Sequence, residues 1–354
     1  MALRALDNTK PAAVEERPKK VAKVGVPAAA AKAAASPGSG GKKKKGNDEN
    51  SAPRATAAAA EQAVEYISSE ELEAAASPKA KAAGLVADLD SKDWVRTCEA
   101  LNDARRLAIH HPALLNPILE KVVLAVVKTM KSPRSAVLKT SIMACADIFS
   151  SFGNLLASVS DDAFDKLLLQ LLLKASQDKR FVCEEAEKAT RAMAASMPPL
   201  PLLKKLKAYV HHANLRVRAK AAVAISHCAA RMVRHATPRH AQEGRNSCSS
   251  VCPFQRLRFS FVAGAQDIGA MKEFGMSALL QLAVELLNDR LPEAREAARG
   301  VVASTHAAFV KEAAASGQED DAAASWESLC ALSLPPISAQ AVAKIAAAAA
   351  ASSQ

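Results

Sequence analysis

Aromatic residues and long apolar runs are scarce in this sequence. Phe, Trp and Tyr make up only 4% of the 354 residues, although 50% of the residues are hydrophobic and many of those are alanine. Because alanine is the strongest helix former, this composition predicts a mostly helical protein with close helix–helix contacts and few bulky core side chains. No run of 18 or more strongly apolar residues occurs, so we expect no membrane span.

The sequence also lacks the residue arrangements that catalysis or metal binding requires. It contains no glycine-rich phosphate loop and no Ser/His/Asp order typical of a hydrolase. Two histidine pairs stand at predicted helix ends, and Cys248 and Cys252 have no matching pair of His or Cys ligands. We therefore expect a protein that is not an enzyme, with no cofactor, no metal and no small-molecule substrate.

Cysteine usage and the N-terminus favour a cytosolic protein. Of the seven cysteines, Cys98, Cys145, Cys183 and Cys228 fall on the apolar faces of predicted helices. An odd number of scattered cysteines is typical of reduced core thiols. The opening sequence MALRALDNTK has no apolar segment of a secretory signal, and nearby acidic residues argue against a transit peptide.

Residues 1–60 are predicted to form a disordered basic tail. They are rich in Ala, Pro, Lys and Gly and contain the run Lys42, Lys43, Lys44 and Lys45. Such a composition buries too little apolar surface to offset chain entropy. Residues 1–56 carry 12 Lys and Arg against 5 Asp and Glu, so most of the net charge of +11 lies there. The tail should attract polyanions, and its lysine run leaves a nuclear location open.

A polar turn followed by an apolar-faced helix recurs through the rest of the chain. In the first example, Ser91 to His111, Asp93 is the predicted N-cap of the helix. The apolar residues that follow are three or four positions apart and share one helix face: Val95, Cys98, Leu101, Ala104, Ala108 and Ile109.

The repeat can be measured on the residue just inside each second helix. These residues are Val95, Val137, Val182, Val217 and Ala294, at intervals of 42, 45, 35 and 77 residues. Repeats of about 40–47 residues are typical of stacked helical pairs. The sequence therefore predicts an all-α fold, an α-solenoid of about five to six HEAT-like pairs, with the turns between paired helices aligned along one edge.

The 77-residue interval is explained by an irregular segment, Val233 to Gln266. It carries Arg, Ser, Phe and Cys without a helical period, and removing it restores the usual spacing. Valine codons begin with GT and a glutamine codon is CAG, so an in-frame retained intron or a mis-predicted exon is our hypothesis. A genuine functional loop is the alternative. The expected organisation is a tail (1–60), a repeat domain (61–232), the insertion (233–266) and the last repeats with a cap (267–350).

The repeated stretches resemble plant TOG-domain proteins of the ARM/HEAT-repeat superfamily, similar to the CLASP N-terminal domain. The resemblance covers about four-fifths of the chain, the insertion excepted, and the sequences that carry it are SKDWVRTCEALNDARRLAIHH, SPRSAVLKTSIMACADIF, DAFDKLLLQLLLKASQDKRFVCEEAEKA, ANLRVRAKAAVAIS and LLNDRLPEAREAAR. It implies a flat TOG-type paddle of HEAT repeats that binds tubulin along the edge made by the intra-repeat turns.

The resemblance also implies which residues would contact tubulin. An aromatic anchor at the first turn is followed by a series of cations, which suits a large acidic protein surface. The implied binding residues are Lys92, Trp94, Arg134, Lys139, Lys179, Arg180, Asn214, Arg216, Arg218, Arg290 and Arg295. In the alternative interpretation, polar turn residues are ordinary in any solenoid, and Trp94 only packs against its own helix.

Three functions remain open at this point. The favoured one is a microtubule-associated protein of the cytoplasm that binds tubulin or microtubules and regulates their dynamics or organisation. The second is a general HEAT or ARM scaffold for another acidic partner. The third is nucleic-acid binding through the tail, which is not favoured because the basic excess lies outside the repeats.

Overall fold

The computed structural model describes residues 66–156, 161–234, 267–317 and 322–351. Helices joined by turns account for nearly all of these residues, and none of them is in a strand. They belong to one compact unit, Arg54–Gln354. The predicted tail, including Lys42 to Lys45, lies outside the described residues. So do Cys248, Cys252 and most of the predicted insertion.

Fourteen α-helices can be followed in chain order through the described residues. They are α1 (Pro78–Leu89), α2 (Trp94–His110), α3 (Pro112–Leu115), α4 (Leu119–Thr129), α5 (Ser135–Leu156), α6 (Asp161–Ala175), α7 (Arg180–Ser196), α8 (Pro199–Lys207), α9 (Leu215–Arg234), α10 (Asp267–Phe274), α11 (Met276–Leu287), α12 (Pro292–Ala315), α13 (Ala322–Ser333) and α14 (Pro336–Ala351). A short 3-10 turn, Asn116–Ile118, precedes α4.

The helices form six pairs that stack in two layers. The pairs are α1/α2, α4/α5, α6/α7, α8/α9, α11/α12 and α13/α14. The second helices of all six pairs pack on one another in sequence. In the other layer α1, α4 and α6 stack, and α10 lies between α8 and α11. The predicted α-solenoid of HEAT-like pairs is confirmed, with α3 and α10 as additional helices that the repeat spacing did not predict.

One continuous apolar core runs through the whole stack. It extends from Leu85 in α1 to Ala346 in α14, as expected when each pair buries its apolar face only against the next pair. Leu172 in α6 is fully buried, as its position in the middle of the stack predicts. No helix among the described residues is both long and apolar enough to cross a bilayer.

Gly153 shows how closely the second-layer helices approach one another. The sequence predicts that α5 stops there, but the helix continues to Leu156 and the prediction is wrong. A Cβ atom on Gly153 would lie 2.5 Å from the carbonyl oxygen of Ser196 at the end of α7. The glycine therefore permits a close helix–helix contact and does not mark a helix end.

The buried face of α2 differs in part from the predicted one. Asp93 is its N-cap, as predicted, and its carboxylate accepts a hydrogen bond from the Val95 N–H at 3.0 Å. Val95 itself is 41% exposed and Ile109 is half-buried, whereas Leu107 is fully buried. Among the described helices α2 is the first of its layer, and Val95 lies in its first turn beside the exposed residues Asp93 and Arg96. Cys98, Cys145 and Cys228 are buried as predicted, but Cys183 is only half-buried.

The insertion begins later than predicted and does not interrupt the stacking. Val233 lies within α9 and packs against the core, and its carbonyl accepts a hydrogen bond from Lys311 of α12 at 3.0 Å. Helices α9 and α12 are in direct contact, although residues 235–291, which include most of the predicted insertion, separate them in the chain. The stacking of the second helices therefore continues from α9 to α12.

Each helical pair contains one turn between its two helices. The sixth of these turns, between α13 and α14, does not reach as far as the other five. Ser333, the last residue of α13, donates from its hydroxyl to Ser277 Oγ at 2.8 Å, and its carbonyl accepts from Gln281 Nε2. Both partners lie in the first half of α11, whose far end leads into the fifth turn. Gln281 and Ser277 precede Asn288, where the fifth turn begins, by seven and eleven residues. At 1.5 Å per residue, the end of α13 is therefore roughly 10 to 16 Å from the fifth turn. Within the described residues, five turns make a continuous edge.

Candidate binding edge

Five intra-pair turns lie side by side, and we call the surface that they form the turn edge. It comprises residues 90–93, 130–134, 176–179, 208–214 and 288–291. Three ion pairs connect neighbouring turns. Lys128 Nζ lies 2.8 Å from Asp90 Oδ1, Arg216 pairs with Asp178, and Arg218 Nε lies 3.0 Å from Asp289 Oδ2.

Two shallow grooves follow the turn edge. The first groove lies between the first and second turns and includes Asp90, Lys92, Trp94, Lys128, Ser132 and Arg134 in its lining. The second groove is lined from the second turn to the fifth, by residues that include Ser132, Lys174, Asp178, Lys179, Arg216 and Leu291. Ser132 and Pro133 line both grooves, so the second turn separates them.

Trp94 occupies a position between the core and the first groove. The indole is half-buried and packs against the apolar core, yet it also lines the groove. The guanidinium of Arg134 lies over the ring, 5.1 Å from its centroid, a distance typical of a cation–π contact. Lys92, at the same groove, is exposed. The structure therefore brings together the three predicted residues of the first two turns.

The second groove brings together Lys179, Asn214 and Arg216. Asn214 Oδ1 accepts from the Arg216 N–H at 2.9 Å, so this side chain caps the start of α9. Lys174, which the sequence analysis did not select, lies in the same groove. Burial, and then the charge of Lys179, lower the pKa of Lys174 below its ordinary value. Burial disfavours the charged form of Lys174, and the like charge of Lys179 adds to that effect.

Several predicted cations are engaged within the protein. Arg216 and Arg218 form the ion pairs that connect turns, and Arg295 donates to the carbonyls of Asp289 and Arg290 at 2.9 Å. Two others lie away from the grooves. Arg180 pairs with Glu184 one turn along α7, and Lys139 Nζ lies 4.1 Å from the centroid of the Tyr66 ring.

Three predicted cations have neither an ion pair nor a ring or carbonyl contact from their side chains among the described residues. They are Lys92 in the first turn, Lys179 in the third and Arg290 in the fifth, and all three are exposed. Lys131, in the second turn, is similar and was not selected from the sequence. These four side chains keep their full charge available to a partner, since no carboxylate of the described chain neutralises them.

The residues that hold the repeats in register were not predicted from the sequence. Lys220 in α9 contacts Glu187 in α7 at 2.8 Å and Glu293 in α12 at 2.6 Å. Burial lowers the pKa of Lys220, but the hydrogen bonds that it donates to both carboxylates, together with their charges, outweigh that effect, so its pKa is raised. A lysine placed mid-helix among alanines is the only sequence signal that could have suggested such a contact.

A second missed contact is buried between α2 and α5. Arg105 is fully buried, and its Nε lies 2.7 Å from Asp147 Oδ2. The guanidinium also donates to Asn102 at 3.0 Å. Because neither partner reaches solvent, this pair joins the first two repeats and belongs to no binding surface.

Within the described residues, no group of three or more His, Cys, Asp or Glu side chains is placed to hold a metal ion. The thiols there are unpaired and largely buried. Burial raises the pKa of Cys98 to about 11 and that of Cys228 to about 12. A raised thiol pKa disfavours the reactive thiolate, so these cysteines have the character of core residues.

Comparison with known proteins gives two kinds of similarity. Over 111 residues the chain is 33% identical to the TOG array regulator of axonemal microtubules protein 1 of Mus musculus, and equally to that of Homo sapiens. The aligned stretch is 31% of this chain and 6% of each relative, so the chain spans a small part of the relatives' length. No protein-family profile matches the chain.

A solved structure shares the fold. A chain from the work described as "Structural Basis of Microtubule Plus End Tracking by XMAP215, CLIP-170 and EB1" superposes with a TM-score of 0.50 at 16% identity. The similarity covers 78% of this chain and 95% of that one. At this identity the match supports the α-solenoid architecture and does not by itself assign a ligand.

Proposed function

We propose that this chain is a non-enzymatic, microtubule-associated protein whose turn edge binds tubulin. The observation that carries the proposal is the arrangement of the turn edge itself. A half-buried tryptophan lines the first groove, and the turn edge carries four exposed cations that have no carboxylate partner among the described residues, Lys92, Lys131, Lys179 and Arg290. An aromatic side chain provides desolvated contact area, and unpaired cations steer and orient an acidic partner.

The comparisons support this proposal from a different direction. The relatives at 33% identity are named as TOG array regulators of axonemal microtubules. The resemblance of the five turn sequences to plant TOG-domain and CLASP-like proteins points to the same partner. We therefore place the protein in the cytoplasm on microtubules, where it would regulate microtubule dynamics or organisation. Lys42 to Lys45 would permit a nuclear fraction.

The proposal assigns different roles to the segments of the chain. Residues 1–60 would add electrostatic affinity without a fixed geometry, because lysine runs attract any polyanion. The two repeat segments, 61–232 and 267–350, would present the binding surface. The predicted insertion, 233–266, which we interpret as a retained intron or a mis-predicted exon, would not be required for tubulin binding beyond Val233 and Arg234 of α9, because α9 and α12 make their contact directly.

Microtubule co-sedimentation and gel filtration with free tubulin test the proposal. We expect the wild-type chain to bind, and the double variant Lys179→Glu with Arg290→Glu to bind more weakly, mostly at low salt, since salt screens exposed charges. A chain that starts at Ala60 should lose affinity at low salt only. If the tail deletion is the only change that reduces binding, the turn edge is not the tubulin surface.

A matched charge reversal away from the turn edge controls for net charge. Lys121 and Lys344 are exposed and have no ion-pair partner among the described residues. Lys121 stands in the first turn of α4, at the end remote from the turn edge. The double variant Lys121→Glu with Lys344→Glu should keep wild-type affinity. Equal losses in both double variants would instead favour a general scaffold that attracts acidic partners without a defined surface.

A further inference from the structure

The second turn contains a sequence that protein kinases recognise, at the point where the two grooves meet. It reads Lys131-Ser132-Pro133-Arg134, a serine followed by proline and flanked by basic residues. Pro133 and Arg134 are exposed and Ser132 is half-buried. The chain has two more Ser-Pro pairs, Ser36-Pro37 and Ser77-Pro78. Ser77 precedes α1 at the end remote from the turn edge, and Ser36 lies outside the described residues.

We propose that Ser132 is a phosphorylation site for a proline-directed protein kinase, and that its phosphate weakens binding at the turn edge. In the reaction, Ser132 Oγ attacks the γ-phosphorus of ATP and forms a new O–P bond. The bond from that phosphorus to the β–γ bridging oxygen breaks, ADP leaves, and the hydroxyl proton passes to the catalytic base of the kinase. The second part of the proposal rests on the tubulin-binding function proposed above.

The charges around Ser132 give the phosphate its expected effect. The lining of the first groove contains three cations, Lys92, Lys128 and Arg134, and one carboxylate, that of Asp90. The lining of the second groove contains the cations Lys174, Lys179 and Arg216 and one carboxylate, that of Asp178. Each groove therefore has an excess of two positive charges, and Ser132 lines both. A phosphoserine carries about −1.5 to −2 charges at pH 7, enough to cancel much of this excess from within the protein.

Few hydrogen bonds hold Ser132 in the second turn, so this turn can open locally and expose the serine to a kinase. Ser132 is held by its N–H, which donates to the Thr129 carbonyl at 3.0 Å. Its hydroxyl oxygen accepts from the Arg134 N–H at 3.3 Å. Segments with few backbone hydrogen bonds open locally at low free-energy cost, so the acceptor serine can reach an active site without unfolding of the helices.

The first measurement locates the phosphate. The full chain and the variants Ser132→Ala and Ser77→Ala are treated with a proline-directed kinase and ATP, and the modified sites are mapped by mass spectrometry. We expect phosphate on Ser132 in the wild type and in Ser77→Ala. Ser77 is the matched control, because it also precedes Pro and a lysine follows at Lys79. Absence of phosphate from Ser132 would overturn the proposal.

The second measurement compares tubulin binding of the kinase-treated wild type and kinase-treated Ser132→Ala, which carries every other phosphate. We expect at least about tenfold weaker binding for the wild type at low salt, because like-charge contacts oppose an acidic partner. Equal affinities would overturn the regulatory role. If the untreated protein does not bind tubulin at all, it is the proposed function that fails.

A tubulin-free measurement tests the cationic surroundings in either case. The second pKa of the Ser132 phosphate, ordinarily about 6, is followed by phosphorus NMR in the folded protein and in urea. Neighbouring cations favour the dianion, so we expect a lower pKa in the folded protein. Identical values in the two states would contradict the placement of the phosphate among the cations.

Discussion

The first two turns and the last three turns of the turn edge use the same residue types in different ways. In the first groove, Arg134 lies over the Trp94 ring and Lys92 is exposed without a carboxylate partner. From the third turn to the fifth, two cations bind carboxylates of neighbouring turns, Arg216 with Asp178 and Arg218 with Asp289.

The cations of the turn edge therefore have two roles: some are available to bind a partner, and others connect neighbouring repeats. Cations that face an aromatic ring or solvent can still contact a partner, whereas cations paired across turns connect one repeat to the next. The first two repeats are connected by a buried pair in their interior, Arg105 with Asp147. Lys128 with Asp90 also connects them at the edge, whereas Lys92 and Arg134, which form no ion pair among the described residues, stay available for binding.

The largest expected effect is on the interior of the first two repeats. Arg105→Ala should lower the free energy of unfolding by about 3–5 kcal/mol, because it leaves Asp147 buried without its partner. Urea denaturation of the purified chain measures the loss. The combination Arg105→Met with Asp147→Leu should regain most of it, since no charge is then left buried. A single variant as stable as the wild type would show that the pair does not hold the repeats together.

The middle of the stack should depend on apolar packing. Leu172→Ala in α6 should cost about 2–5 kcal/mol, because this fully buried side chain would leave a cavity. Leu332→Ala is the matched control, since Leu332 is 88% exposed at the recessed sixth turn. Thermal melts of both variants provide the measurement. Equal melting temperatures for the two variants would contradict the position of α6 in the core.

Trp94 should matter more for binding than for folding. Trp94→Ala should weaken tubulin binding by about 2 kcal/mol or more, the usual scale for an aromatic hot spot. Because the ring is half-buried, we also expect a loss of about 1–2 kcal/mol in stability. Titration calorimetry with tubulin and a denaturation curve separate the two effects.

The other tryptophan provides the control for this prediction. Trp326 is buried at the C-terminal pair, where it packs edge-on against His306 and also contacts Phe309. Trp326→Ala should destabilise the protein and leave tubulin affinity unchanged. If Trp94→Ala changes only stability, the indole is a core residue and the first groove loses its anchor.

The smallest expected effect is a gain of affinity in the second groove. Asp178→Asn frees Arg216 and should strengthen tubulin binding roughly two- to fivefold at low salt, the range expected for one exposed charge pair. Glu184→Gln makes the same charge change beside Arg180 on the outer face of α7 and should have no effect. The tubulin affinities of both variants, measured at two salt concentrations, test this prediction. An equal gain in both variants would indicate attraction by net charge alone.

Helix periodicity made the architecture predictable, and polar pairing limited what could be predicted at the turn edge. Asp93 and Leu172 were assigned correctly, because a cap or a buried stripe depends on neighbours three or four positions away. Arg180 and Lys139 were grouped with the other turn cations, but their side chains contact Glu184 and Tyr66. The direction of a long side chain depends on which partner the stacking places near it.

The sequence by itself determined that this chain is an α-solenoid, because repeat length and apolar spacing are local properties. It also determined that polar turns would recur at one end of each pair. Only the tertiary structure decided which turns are continuous, since Ser333 meets Ser277 and sets the sixth turn back. It likewise decided which cations are neutralised, because Lys220, Glu187 and Glu293 come from three different repeats. Contacts of this kind depend on the register of stacked helices, which no single repeat encodes.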